Sequence, residues 1–196
     1  MLGFNADLAS QVRLLTEILQ QNKELYEVIK KVGDAGLQEY YVAAGCIAQT
    51  VWNYQVGNEL MNGISDIDIV YYDSSDLSYA VEDATIKHIK NTIGPCKLEL
   101  DIKNQARVHL WYKERFGFEI KSHDSVESGI NSWPAMASCI GVRLENDQLK
   151  VYAPFGLNDL FGMIIRANKA QITEEIFTQK ANKWSSKWPS LTIIPW

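Results

Sequence analysis

The segment Ser65-Asp66-Ile67-Asp68-Ile69-Val70-Tyr71-Tyr72 constrains this chain more than any other. Ile67, Ile69 and Tyr71 alternate with Asp66, Asp68, Val70 and Tyr72. Such alternation is the period of a β-strand with two different faces. Asp66 and Asp68 therefore project from the same face, close enough to repel unless a cation lies between them. Carboxylate oxygens in that arrangement suit Mg²⁺ or Mn²⁺, which bind through a few carboxylates plus substrate phosphates.

A second segment repeats the phase. In residues 97–103, KLELDIK, Leu98, Leu100 and Ile102 alternate with Glu99 and Asp101. Beside the first strand, Asp101 would supply a third carboxylate, with Glu99 in reserve. The bland alternative for two acids on a strand is an exposed sheet edge. Their setting in an otherwise apolar, β-branched run, and the matching phase of the second run, favour a metal site.

The remaining patterns frame these strands. A helix is expected over 7–31, with Asp7 as its cap and a break at Gly33 and Gly36. Further helices are expected over 37–56 (interrupted near Ala43-Ala44-Gly45), 78–93, 104–116, 156–167 and 173–186. Residues 139–145 and 149–153 read as a hairpin turning at Asn146-Asp147. This order predicts an α+β (or α/β) domain with a small mixed sheet flanked by helices. At 196 residues the chain is expected to form one domain: an N-terminal helix (1–36), a catalytic core (37–153) and C-terminal helices (154–196).

Bulk properties exclude several classes. No apolar run approaches the roughly 20 residues that span a bilayer. The N-terminus lacks a secretory pattern, and Cys46, Cys96 and Cys139 are odd in number and in no metal-ligand spacing. A cytoplasmic protein with reduced thiols, no membrane partner and no DNA-specific signal is expected. The net charge of −5 argues against a general nucleic-acid binder. It is uneven, however, with +4 over residues 87–121 and +3 over 161–196. Those basic segments could flank a site for a phosphate substrate, or simply be scattered surface charge.

Several motifs in one order carry a resemblance. They are AGCIAQTVWN from Ala44, SDIDIVYYD from Ser65, LDIKNQARVHLWY from Leu100, VRLENDQLKVYAPFGLNDLF from Val142, and the closing KWSSKWPSL. Together they resemble a bacterial family of nucleotidyltransferases in the DNA polymerase beta-type superfamily, similar to the head domain of tRNA CCA-adding enzymes. The resemblance implies that fold and transfer of a nucleoside monophosphate from an NTP to a hydroxyl, with release of pyrophosphate. The acceptor would be RNA, a protein or a small molecule. It implies Asp66, Asp68 and Asp101 as catalytic metal ligands. Ala44, Gly45, Cys46, Ser65, Asn104 and Arg107 would bind the nucleotide, with Gln105 and His109 lining or supporting that side. Cys46 stands where many members have Ser, and Ala48 and Gln49 replace the CCA enzymes' Arg-Asp continuation. A nucleotide-binding module with little or no turnover is therefore one alternative, and a DxD metal-dependent glycosyltransferase is another.

Other residues have plainer readings. Arg107 is expected either on a phosphate or in an ion pair ordering the acidic strand. His109 is expected to be packed, and His88 and His123 to be on the surface. Tryptophans are expected in the core, Asn158 or Asp159 as a helix cap, and Lys183 and Lys187 on a solvated helix face.

Overall fold

The computed structural model describes residues 1–196. The stretch expected as one helix over 7–31 is two, α1 (Leu8–Gln21) and α2 (Lys23–Gly33), and Asp7 caps the first. Asn22 makes the break. It is buried, its side-chain oxygen accepts from the Leu25 amide, and its Nδ2 donates to Thr50 Oγ1 at 3.0 Å. An asparagine that satisfies local backbone donors competes with helix continuation and starts the next helix.

The expected helix over 37–56 is corrected more deeply. Tyr40–Ala43 is strand β1, and only Gly45–Val56 is helical, as α3. All four residues of β1 are buried. A strand covered on both faces has no alternation, so its apolar run reads as the start of the helix that follows. Ala44 joins the two at φ 59, ψ −128, a left-handed backbone that a side chain strains.

The acidic segment forms β2 (Asp66–Tyr71), followed by α4 (Tyr79–Ile93), capped by Ser78. Strand β3 (Glu99–Asn104) leads through a short 3₁₀ turn into α5 (Val108–Phe116), and α6 (Val126–Ile130) follows. Strands β4 (Gly141–Glu145) and β5 (Gln148–Tyr152) form the expected hairpin. Asn146 and Asp147 both have positive φ, as a tight two-residue turn between twisted strands requires.

The expected helix over 156–167 shrinks to α7 (Asn158–Phe161), because Gly162 and the left-handed Met163 turn the chain into β6 (Ile164–Ile165). Neither Asn158 nor Asp159 caps it. Asn158 Oδ1 accepts from the Asn5 amide and from Gln11 Nε2, and Asp159 accepts from Arg166 Nε. The last helix, α8 (Glu174–Lys187), starts at Thr173, and β7 (Thr192–Ile193) then pairs in parallel with β6.

The main sheet runs β3-β2-β1-β4-β5, with β2 and β3 parallel and every other pair antiparallel. This is the mixed sheet flanked by helices that the sequence predicts. Ile67, Ile69, Tyr71, Leu100, Ile102, Val42 and Val142 belong to the large core cluster, shared with α1, α2, α3 and α8. Tyr41, Ala43 and Val70 project from the opposite face into a small second cluster with α6. Asp66, Asp68 and Asp101 share that opposite face, by strand alternation. Trp52 of α3, fully buried, meets Trp184 and Trp188 edge-on at 5.2 and 5.6 Å, which fixes α8 over α3. Trp52, Trp184 and Trp188 meet the core expectation, whereas Trp111 and Trp133 are half-buried and Trp196 is exposed.

Candidate active site

Parallel pairing of β2 and β3 puts Asp68 directly beside Asp101. Asp66 stands beside Glu99 one pleat away, yet the carboxylate oxygens that converge are those of Asp66, Asp68 and Asp101, all within 4.8 Å of one another. Glu99 is exposed and stays outside the group. Burial first, and then the negative charges of Asp66 and Asp101, push the Asp68 carboxyl up to about 6. Lys180 and Lys103 pull in the other direction, and Lys103 forms an ion pair with Asp101. Three convergent carboxylates that raise a proton affinity in this way fit a divalent cation, since its charge removes the repulsion. Ser65 Oγ donates to Asp66 Oδ1 at 2.5 Å, steadying the outermost acid.

The start of α3 borders the same site. Gly45 is its first helical residue, and a Cβ there would lie 2.7 Å from Gln49 Nε2. The missing side chain thus lets the Gln49 amide fold back over the first turn, where unpaired backbone N–H groups sit. Cys46 is buried and its thiol donates to Ala43 O at 3.1 Å. Burial, with Asp68 nearby, raises its pKa, so it stays a protonated thiol turned into the fold.

Sequence reasoning offered the basic segments 87–121 and 161–196 as flanks of a phosphate site but did not pick out the residues of the opposite wall. Lys180, Lys183 and Lys187 recur at helical spacing on α8 and, with Arg115, line a polar cleft of about 510 Å³ whose other side is Gly45, Gln49, Ser65, Asp66 and Asp68. Lys183 and Lys187 are exposed, as expected, but the helix face they occupy looks across this cleft at the acids. Lys180 is half-buried, with its ammonium 4.8 Å from the Trp184 ring centroid. Burial lowers its pKa, while Asp68 raises it. The i, i+3, i+7 spacing was the available signal. What a sequence does not show is which element the face confronts.

Two nucleotide-side candidates lie elsewhere. Asn104 points to the core face of β3. Its Oδ1 accepts from the Asp73 and Ala106 amides, and its Nδ2 donates to Asp73 O at 2.7 Å. Arg107 is ion-paired with Glu82 of α4 and donates through Nε to Leu77 O at 2.9 Å, with both ionic side chains 11% exposed. Of its two expected readings, the structure shows an ion pair. His109 is half-buried, and its Nδ1 is buried without a partner. His123, expected on the surface, is buried, and burial lowers its pKa. His88 is exposed, as expected.

A second cleft of about 250 Å³ adjoins the first and shares Asp68, Arg115, Ile176 and Lys180 with it. Its lining is largely apolar and includes Trp111, Tyr112 and Trp133, with Ala44 and Gln105 also on its wall. Asp68 thus stands at the junction of a cationic cleft and an aromatic one.

Comparison with known proteins agrees with this geometry. A solved NMR structure described as revealing a CCA-adding enzyme head domain superposes with a TM-score of 0.76. The match covers 94% of this chain and 96% of that one, at 20% sequence identity. This likeness establishes the fold. None of the curated proteins matches the chain. The profile of one family does, over residues 30–193, a span that takes in the three converging aspartates, the start of α3 and the lysines of α8; the chain therefore belongs to the nucleotidyltransferase family.

Proposed function

We propose that this chain is a divalent-metal-dependent enzyme that transfers a nucleoside monophosphate from an NTP to a hydroxyl acceptor. One observation carries the reading. A single cleft has Asp66 and Asp68 on one wall, with the Asp101 carboxylate converging on them within 4.8 Å, and a row of lysines on the other. An NTP–metal complex needs both signs of charge, since the cation requires anionic ligands and the polyphosphate requires cationic ones.

Asp66, Asp68 and Asp101 would hold Mg²⁺ or Mn²⁺. When bound, the ion supplies charge neutralisation at the phosphates and lowers the pKa of a coordinated hydroxyl. The chain's own groups do the rest. Backbone amides of Gly45 and Cys46 at the start of α3, with Ala44 turning the chain and Ser65 at the rim, face the polyphosphate. Lys180, Lys183 and Arg115 balance its charge from α8 and α5. The acceptor oxygen bonds to the α-phosphorus as the bond to the bridging α–β oxygen breaks. Pyrophosphate departs along the lysine row, and the acceptor's proton passes to one of the three carboxylates. Asn104 and Arg107 act as positioning residues, tying β3 to α4 behind the acids. The protein would work as one domain in the cytoplasm, a setting consistent with three unpaired cysteines and with no helix long and apolar enough to cross a membrane.

Labelled NTPs test the reading. Each α-³²P-NTP, with Mg²⁺ and fractionated cellular RNA, protein or small molecules, should give one labelled product and pyrophosphate. Asp68→Asn should lower that rate at least a hundredfold. No transfer from any NTP to any fraction would refute the reading as an enzyme. The inward turn of the Cys46 thiol favours a second reading, nucleotide binding without turnover. Tight NTP binding without pyrophosphate release would select it.

A further inference from the structure

Trp111 and Tyr112 of α5 stand on one side of the aromatic cleft, their rings stacked with centroids 6.2 Å apart and planes 28° from parallel. Trp133 and Pro134 line the same cleft from the segment after α6, and Ile172 and Ile176 from the approach to α8 and its first turns. All of these side chains are half-buried, so their apolar surfaces are part-covered by the protein and part-open to the cleft. Gln105, His123 and Ser132 add polar groups to the lining. Gln105 reaches it because Gly129 of α6 has no side chain; a Cβ there would fall on Gln105 Oε1. A pocket with flat apolar walls and a few hydrogen-bonding groups selects a planar heterocycle over an aliphatic chain, because stacking uses the faces and the polar groups read the edge. At about 250 Å³ it holds a group of nucleoside size, not an oligomer.

We infer that this aromatic cleft is a nucleobase subsite, stacking one base on Trp133 and Trp111 with its sugar directed toward Asp68. The direction follows from the shared wall: Asp68, Lys180 and Arg115 border both clefts, so a base in one and phosphates in the other meet at the acids. The inference rests on the nucleotidyl-transfer reading for what lies in the polar cleft, but not for what stacks in this one. The base belongs either to the NTP or to the terminal nucleotide of the acceptor.

The test uses the full chain with Mg²⁺ and four probes: 2-aminopurine riboside, its triphosphate, inorganic tripolyphosphate, and a trinucleotide RNA ending in 2-aminopurine. Stacking quenches 2-aminopurine emission. Quenching of the riboside, abolished in Trp133→Ala and retained within threefold in Trp133→Phe, is the expected result. If the base is the NTP's, Trp133→Ala weakens the triphosphate at least tenfold and leaves tripolyphosphate within twofold. If it is the acceptor's, Trp133→Ala spares both of those and abolishes trinucleotide binding to protein saturated with a non-hydrolysable NTP. Absence of riboside quenching in the wild-type protein, or equal losses in Trp133→Ala and Trp133→Phe, overturns the subsite. Failure of tripolyphosphate to bind overturns the polar-cleft reading instead.

Discussion

Asp68 holds its charge at a disadvantage while no cation is bound. Its carboxyl is raised from an ordinary 3.8 to about 6, so the folded state binds its proton more tightly than the unfolded chain does. Between those values the fold gains stability as pH falls, and above about 6 the gain is gone. Asp68→Asn should therefore stabilise the chelator-treated protein at pH 7.5 by about 1–2 kcal/mol, a discounted figure for a partly screened site. Urea unfolding at pH 7.5 and pH 4 checks this, the two proteins converging at the lower pH. Added Mg²⁺ should raise the unfolding midpoint of the wild type and not of Asp68→Asn. Arg107 supplies the contrasting case. Its partner Glu82 is equally buried, so Arg107→Met leaves an unpaired interior carboxylate and should cost about 3–5 kcal/mol. Pairing it with Glu82→Gln should recover much of the loss. A phosphate-binding role would show a lower NTP affinity and little change in stability.

At the scale of elements, what a sequence reveals depends on whether an element has two unlike faces. The strands β2 and β3, with one face in the core and the other at the acids, were legible to within two residues at their ends, and their shared phase gave Asp101 as the third carboxylate. Helices α4 and α8 fall within one residue of the ranges expected for them. Strand β1 was hidden because both of its faces are buried, and β6 and β7, two residues each, are too short for any period. The lysine wall was hidden for another reason: spacing shows that Lys180, Lys183 and Lys187 share a face, but only tertiary contact shows what lies opposite. The junction between β1 and α3 yields its own prediction. Ala44 holds a backbone conformation that glycine adopts freely. Ala44→Gly should therefore raise stability by about 0.5–1.5 kcal/mol, the relieved strain exceeding the added freedom of the unfolded chain. A fall in the urea midpoint would show that the Cβ, which borders the aromatic cleft, contributes more than the strain.

Across the whole molecule, the core beneath the sheet and the site above it depend on the same helix. Trp188 is buried at the end of α8, against Trp52, and its indole N–H donates to Asn53 Oδ1 at 2.8 Å. Trp188→Ala should destabilise the protein by about 3–5 kcal/mol. It should also weaken tripolyphosphate binding under conditions where the protein is still folded, because the lysines are carried on the loosened helix. Calorimetric titration below the unfolding temperature separates the two effects; unchanged affinity would mean that α8 holds its place without this anchor. The two walls of the polar cleft come from parts of the chain more than a hundred residues apart. During translation, at roughly 5–20 residues per second, the acids therefore leave the ribosome on the order of ten seconds before the lysines that face them. A nascent chain that has not yet made α8 carries three aspartates without the lysines proposed to face a polyphosphate, so copies truncated before α8 should not retain tripolyphosphate.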